Sequence, residues 1–144
     1  MGHFLEIAFN SPEYRLACSL RNEVLRLPLG LSLYDEDLEL ESEYWHFGVF
    51  ESEALLGCVV VVPLGAGGAR LKQMAIAEAV RGKGLGRRLY EALEARLIAM
   101  GVSELRLHAR ETALGFYERL GFESEGETFL EVSIPHVAMR KRIG

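Results

Sequence analysis

The 144-residue sequence has few of the features that mark secreted, metal-binding or membrane-bound proteins. Its two cysteines, Cys18 and Cys58, belong to no CxxC pair and no cysteine–histidine cluster, so we expect two reduced, buried thiols and no metal site. Residues 1–10 lack the basic and apolar segments of a signal peptide. The longest apolar run, Leu55 to Leu64, has 10 residues, whereas a membrane-spanning helix needs about 20. These absences predict a cytoplasmic protein without a membrane partner.

Positive charge is also scarce, because 16 lysines and arginines are outnumbered by 21 acidic residues and the net charge is −5. This balance argues against nucleic acid as a partner. The charge is unevenly distributed, since residues 79–90 contain four bases and no acid, and residues 35–43 contain six acids and no base. A basic, glycine-rich island in an acidic protein predicts a site for one compact anion.

The apolar pattern predicts alternating strands and helices in one domain that spans residues 1–144. Residues 45–50 alternate as in a half-buried strand, and the apolar run 59–62 indicates a central strand buried on both faces. The predicted fold class is α/β, with a mixed sheet. We expect strands at 3–9, 45–50, 54–64, 69–77, 105–109, 122–129 and 134–142, helices at 12–27, 84–100 and 113–120, and a short acidic helix or loop at 35–43.

The chemistry-bearing segment is a glycine-rich loop between a predicted strand and the most regular predicted helix. Three alternate glycines let the backbone turn tightly with its N–H groups on one side, and the N-terminus of the following helix adds partial positive charge. Basic side chains strengthen this arrangement, which predicts a pyrophosphate site. The residues concerned are Arg81, Gly82, Lys83, Gly84, Leu85, Gly86 and Arg87.

Two other phosphate-binding loops do not fit this segment. The dinucleotide pattern GxGxxG requires a third glycine where Arg87 stands, and the GK[ST] pattern requires serine or threonine where Gly84 follows Lys83. A nucleotide-binding domain is therefore disfavoured. A glycine-rich turn with solvated bases is the alternative that the loop alone leaves open.

Two segments resemble the motifs of the GNAT acetyltransferases. Residues 74–89, MAIAEAVRGKGLGRRL, are similar to motif A (Q/R-x-x-G-x-G/A and its preceding strand), and residues 113–122, ALGFYERLGF, resemble motif B (A-x-x-F-Y-x-x-x-G-F). The tail at 129–139 further resembles the ElaA-like and YjcF-like branch of the family. The resemblance covers nearly the whole chain and implies the GNAT acyl-CoA N-acyltransferase fold, with about seven strands and about four helices.

The resemblance also implies an N-acetyltransferase that moves an acetyl group from acetyl-CoA to a primary amine directly, in a ternary complex. The strand Met74-Ala75-Ile76 would bind the pantetheine arm and polarise the thioester carbonyl, and Tyr117 would protonate the departing thiolate. A tyrosine that only packs against Phe116 is the alternative. Arg110 stands where many members have asparagine, so that asparagine's contact with the cofactor is not carried over.

The general base and the acceptor stay open at this point. His136, His108 and Glu131 are candidates for the base, although each can also be an ordinary polar residue, and water is a further alternative. The acidic segment 35–43 would attract a cationic acceptor such as a polyamine, a lysine side chain or an aminoglycoside, unless it is only a solvated face.

Two functions therefore follow from the sequence. The first is acetyl transfer to a small-molecule or peptide amine. The alternative is a catalytically silent module that binds CoA for sensing or assembly. A homodimer is compatible with either function.

Overall fold

The computed structural model describes residues 2–144 and contains a seven-stranded sheet. The strand order is β1-β2-β3-β4-β5-β7-β6, and neighbours are antiparallel except for the parallel pair β4 and β5. The predicted α/β class, the mixed sheet and its seven strands are confirmed. The strands are β1 (His3–Ile7), β2 (Trp45–Glu51), β3 (Ala54–Gly65), β4 (Gly68–Ile76), β5 (Glu104–Arg110), β6 (Glu123–Glu131) and β7 (Ile134–Arg142).

The α-helices are α1 (Pro12–Leu25), α2 (Leu85–Ala99) and α3 (Leu114–Arg119). The side-chain oxygen of Ser11 caps α1 by accepting a hydrogen bond from the N–H of Tyr14 at 3.1 Å. Leu27–Leu29 forms a separate 3-10 helix, so α1 ends before the predicted position 27. The acidic segment supplies the fourth predicted helix, a 3-10 helix at Leu38–Glu43. Within residues 2–144, no helix has the length and apolar character needed to cross a membrane.

Helices cover both faces of the sheet. On one face, α1 packs over a core cluster that contains Cys18, Cys58 and Ala75. On the other face, α2 inserts its apolar side, including Leu89 and Leu93, into a larger cluster, and α3 packs at its edge. Both cysteines are free, buried thiols, as predicted.

The two central strands differ in how well the sequence predicted their burial. β3 is buried on both faces from Leu56 to Val61, as expected. The half-buried pattern predicted for β2 is wrong, because His46 is only 3% exposed and packs edge-on against Tyr14 of α1, with 5.1 Å between ring centroids. The helix thus covers the face that the alternating pattern assigned to solvent.

The pairing of the parallel strands β4 and β5 is short. It begins where Gly68 lies opposite Glu104 and ends where Leu71 lies opposite Leu107. Further along β4, its register with β3 shifts, and Gln73 at this irregularity has a φ of 53°. A bulge of this kind bends the strand that contains it. The C-terminal halves of β4 and β5 therefore diverge, and the space between them becomes accessible to a ligand.

Candidate active site

The diverging strands open into a cleft of about 800 Å³ beside the N-terminus of α2, which we call the donor cleft. Its walls come from the end of β4, the loop before α2, the end of β5 and α3. The charged residues among its described lining are all arginines: Arg81, Arg87, Arg110 and Arg119. This charge suits an elongated anionic ligand.

Most of the predicted cofactor-binding residues line the donor cleft, together with Tyr117. These are Met74, Ile76, Arg81, Gly82, Gly84, Leu85, Gly86 and Arg87. Two predicted residues lie elsewhere, since the side chain of Ala75 is buried in the core cluster beneath α1 and Lys83 is exposed outside the lining. Because its side chain is buried, Ala75 can contribute to a site here only through its backbone.

The glycines of the loop have different roles. Gly82 and Gly84 have φ values of 76° and 75°, and a Cβ on either would meet nothing within 4 Å. Glycine is therefore favoured at both positions by the left-handed backbone and not by a lack of room for a side chain. At Gly86, a Cβ would lie 3.3 Å from Cζ of Phe116, so this glycine lets α3 pack closely on α2. The first helical bond runs from the N–H of Arg88 to the carbonyl of Gly84. The preceding N–H groups of the first turn therefore have no helical partner.

The C-terminal part of β4, which β5 leaves unpaired, has one edge facing the space between the diverging strands. The N–H of Ala77 donates to the carbonyl of Leu56 in β3 at 2.8 Å. Because successive strand residues direct their N–H groups to opposite sides, the N–H of Ile76 points away from β3. The carbonyl of Ile76 accepts a hydrogen bond from Nε of Arg81 at 3.2 Å, which ties the loop to this strand end. The edge thus offers a backbone donor of the kind found in oxyanion holes.

A second pocket of about 390 Å³ adjoins the donor cleft, and we call it the acceptor pocket. The structure brings all three candidate bases, His108, Glu131 and His136, to its wall. The two cavities meet, because both are lined by the same five residues: Leu25, Met74, Arg110, Ala113 and Tyr117.

Tyr117 lies at this junction, half-buried in α3. Its ring packs edge-on against Phe116 and Phe122, with centroids 5.1 Å and 5.8 Å away. Burial raises the pKa of Tyr117 to about 12. The phenol is therefore protonated at neutral pH and has a proton to donate.

A polar network of His108, Glu131, Arg70 and His136 lies in the acceptor pocket. Nδ1 of His108 lies 2.9 Å from Oε1 of Glu131 and 2.7 Å from Nη2 of Arg70. The two contacts require different tautomers, because a protonated Nδ1 donates to the carboxylate and an unprotonated one accepts from the guanidinium. Burial acts to raise the pKa of Glu131, but the hydrogen bond from His108 and the charges of His108, His136 and Arg70 outweigh it, so the pKa is lowered.

The acidic segment 35–43 contributes little to the wall of the acceptor pocket. Glu41 is 5% exposed and accepts two hydrogen bonds from the guanidinium of Arg21. Glu36 is the only one of its acids in the acceptor-pocket lining, and its carboxylate accepts from Nε of Arg26 at 2.7 Å. The pocket lining therefore gives no support to a cationic acceptor, since the one acid of this segment that lies there is already paired with an arginine.

Three basic residues that line the acceptor pocket belong to no recognised motif: Arg26, Arg70 and Lys72. Arg70 and Lys72 are separated by Leu71, and the period of a strand places them on one face. The spacing of these two bases on one face of a strand was visible in the sequence. Which face meets a pocket depends on the divergence of β4 from β5, which no local pattern reveals.

Residues 32–143 match the family model described as an acetyltransferase (GNAT) domain. The uncharacterized N-acetyltransferase YjcF of Bacillus subtilis (strain 168) is 31% identical over 144 residues, covering 94% of this chain and 96% of that protein. A solved structure from Lactobacillus plantarum, described as that of a putative N-acetyltransferase, has a TM-score of 0.87 at 24% identity and covers 99% of this chain and 98% of that one. Escherichia coli ElaA has a TM-score of 0.79 at 19% identity, with 98% and 99% coverage.

The family match includes both motifs and the tail, which confirms the resemblance to GNAT acetyltransferases and to YjcF. The two solved structures show that the fold is shared. The chain belongs to the GNAT acetyltransferase family and is an acyl-CoA-dependent N-acetyltransferase.

Proposed function

We propose that this enzyme transfers an acetyl group from acetyl-CoA to a primary amine by direct attack in a ternary complex. The observation that carries the proposal is the junction of the donor cleft and the acceptor pocket at Met74 and Tyr117. Acetyl-CoA supplies an activated thioester. An amine in the acceptor pocket can reach that thioester without a covalent enzyme intermediate. Both cysteine thiols lie in the core cluster beneath α1 and line neither cavity, which argues against a cysteine nucleophile.

The donor cleft fits the anionic groups of CoA. Four arginines and no carboxylate line it, and the first turn of α2 adds unpaired N–H groups at the positive end of the helix. We assign the pyrophosphate to residues 81–87. We assign the pantetheine arm and the thioester carbonyl to residues 74–76, with the N–H of Ile76 as the hydrogen-bond donor that stabilises the developing oxyanion.

Two side chains would move protons during the transfer. Tyr117 would protonate the departing thiolate, since burial keeps its phenol protonated. His108 is the base that the contacts favour. The lowered pKa of Glu131 makes that carboxylate a weak proton acceptor, and the side chain of His136 is only 5% exposed, whereas that of His108 is 30% exposed. Glu131 would orient His108 through their hydrogen bond.

Turnover tests this proposal against the alternative of a silent CoA-binding module. Purified protein incubated with acetyl-CoA and a broad panel of amines should release free thiol and yield an acetylated amine detectable by mass spectrometry. Isothermal titration with CoA provides the parallel binding measurement. Tight CoA binding without turnover on any amine would favour the silent module.

A substitution pair at Gly84 should locate the pyrophosphate site. Asparagine and aspartate have similar size, both tolerate the left-handed backbone of this position, and neither side chain meets an obstacle at Cβ. A negative charge about 4 Å from a phosphate is worth between about 1 kcal/mol in water and about 4 kcal/mol at an effective dielectric of 20. We therefore expect Gly84→Asp to weaken CoA binding at least about tenfold relative to Gly84→Asn, as measured by isothermal titration. Equal affinities of the two folded variants would place the pyrophosphate elsewhere.

A further inference from the structure

The acceptor pocket has an excess of positive charge. Two carboxylates, Glu36 and Glu131, line it together with four cationic side chains: Arg26, Arg70, Lys72 and Arg110. Both carboxylates already have partners, since Glu36 accepts from Arg26 at 2.7 Å and Glu131 contacts His108, His136 and Arg70. The remaining positive charge must be balanced by solvent or by a ligand.

Lys72 and Arg110 carry this excess. Among residues 2–144, neither has a carboxylate within 4.0 Å, although each is partly buried. The ammonium of Lys72 lies 5.9 Å from the ring centroid of Tyr44, and Nη2 of Arg110 donates to the carbonyl of Leu25 at 3.2 Å. The pKa of both groups is lowered, chiefly by burial and secondly by the positive charge of a neighbouring arginine. Their cationic forms are therefore less stabilised than in water.

An anion bound here would offset this unfavourable burial of charge. The same field disfavours a second ammonium group, so a polyamine or an aminoglycoside would be repelled. The field also favours the neutral form of an amine placed near Arg110, and the neutral amine is the nucleophile. One arrangement of charges thus selects an anionic group and helps to deprotonate the reacting amine.

We propose that the acceptor carries an anionic group, a carboxylate or a phosphate monoester, in addition to its amine, and that Lys72 and Arg110 bind this group. The inference rests on the proposed N-acetyl transfer and names its substrate class. The amine would lie at the junction beside Tyr117, and Lys72, which lines the acceptor pocket but not the donor cleft, would contact the anionic end.

Matched acceptors test this proposal. Amino carboxylic acids of increasing chain length are assayed beside their neutral amides, aminoalkyl phosphates beside the corresponding amino alcohols, and polyamines represent the cationic class. We expect the anionic member of the best pair to have a kcat/KM at least about tenfold higher than its neutral counterpart, which corresponds to about 1.4 kcal/mol. The carboxylate and phosphate arms show which anion is used. A neutral or cationic acceptor with the highest kcat/KM would overturn the proposal.

Substitution of Lys72 separates binding from folding. Lys72→Met should remove the advantage of anionic acceptors and leave neutral ones within a few-fold, whereas Lys72→Arg should retain it. The control is Arg15→Gln, because Arg15 is an exposed cation on α1 outside both cavities. This variant should leave kcat/KM unchanged for both anionic and neutral acceptors. An equal loss for anionic and neutral acceptors in Lys72→Met would assign Lys72 a purely structural role and contradict the proposal.

A binding measurement distinguishes this inference from the proposed activity. N-acetylated amino acids and their amides, used as product analogues, are titrated calorimetrically into the protein with CoA present. Tighter binding of the carboxylates that depends on Lys72 would support anion recognition even if no amine were acetylated, and acetyl transfer would then be the part that failed. Turnover restricted to neutral or cationic amines would instead sustain the activity and reject the anionic acceptor.

Discussion

Replacing Tyr117 with phenylalanine is expected to lower kcat about 10²–10⁴-fold while CoA affinity changes little, because a general acid contributes an effect of this size. The contacts with Phe116 and Phe122 hold the ring through its edges and faces, so phenylalanine should keep the same position. Steady-state kinetics on a good acceptor and titration with CoA provide the two measurements. A kcat within a few-fold of wild type would mean that the thiolate leaves without help from this hydroxyl.

Tyr90→Phe is the matched control, because Tyr90 is a buried tyrosine of the same core cluster that lines neither cavity. Its kcat should equal that of the wild type.

The pH profile provides a further check on Tyr117. With its pKa raised to about 12, the phenol stays protonated through alkaline assay conditions, so ionisation of Tyr117 should cause no loss of activity below about pH 11. His108→Gln should lower kcat while CoA affinity changes little, as expected for loss of a general base.

Breaking the buried ion pair between Arg21 and Glu41 is expected to have the largest effect on stability. Arg21 is fully buried, its Nη1 donates to Oε1 of Glu41 at 2.9 Å, and the hydroxyl of Tyr14 donates to the same oxygen at 2.7 Å. Removal of either partner leaves an uncompensated buried charge. We therefore expect Arg21→Met and Glu41→Leu each to lower the free energy of unfolding by about 3–5 kcal/mol, as measured by denaturant titration.

The double variant shows whether the loss comes from the unpaired charge. Arg21→Met/Glu41→Leu should cost less than the sum of the single substitutions, because it leaves no lone charge in the core. Arg106→Met is the control at the exposed pair with Glu125, where the ions are 2.9 Å apart, and should change stability by about 0–1 kcal/mol. Additive single effects would contradict the interpretation of a coupled pair.

Acid should weaken the same interaction. Burial acts to raise the pKa of Glu41, but the hydrogen bonds and charge of Arg21 outweigh burial, so the pKa is lowered. The folded state therefore favours the ionised carboxylate. The stabilisation from this carboxylate is therefore complete above the ordinary glutamate pKa of about 4.3 and is lost as pH falls below it toward the lowered value. The wild-type protein should lose stability over this range through Glu41, and Glu41→Leu should lack that contribution.

The Arg21–Glu41 pair also contacts the strand that borders both cavities. Nε of Arg21 donates to the side-chain oxygen of Gln73 at 2.7 Å, and Gln73 holds the left-handed backbone conformation where β4 bends. Met74 follows directly and lines both cavities. The buried pair thus connects the core beneath α1 to the point where β4 leaves β5.

Local patterns predicted much of the fold and part of the site. The capping serine at 11, the run of leucines in α2 and the apolar run in β3 each reflect nearest-neighbour or periodic preferences, and their elements were predicted to within a few residues. The loop before α2 was identified from its alternate glycines and neighbouring bases, and two of those glycines, Gly82 and Gly84, have a positive φ. Its position beside a basic cleft agrees with the charge pattern of residues 79–90.

Long-range contacts account for the errors. The acids at 35–43 look equivalent in sequence, yet Glu41 lies in the core because Arg21, twenty positions earlier, provides its counter-ion. His46 is buried because α1 covers the second face of β2. Neither fact follows from a local period, since each depends on which distant segment packs there.

The amino-acid order alone determined the α/β class and the glycine-rich loop, because periodicity, glycine conformation and helix ends are local properties. The family and the tyrosine motif followed from the resemblance of two segments to known motifs. Only the tertiary structure decided which charges line the acceptor pocket. The bend of β4 separates it from β5, and that separation places Lys72, Arg110 and the His108–Glu131 pair around one pocket while Glu41 is removed to the core. Electrostatic selectivity depends on distances between residues far apart in the chain, and folding sets those distances.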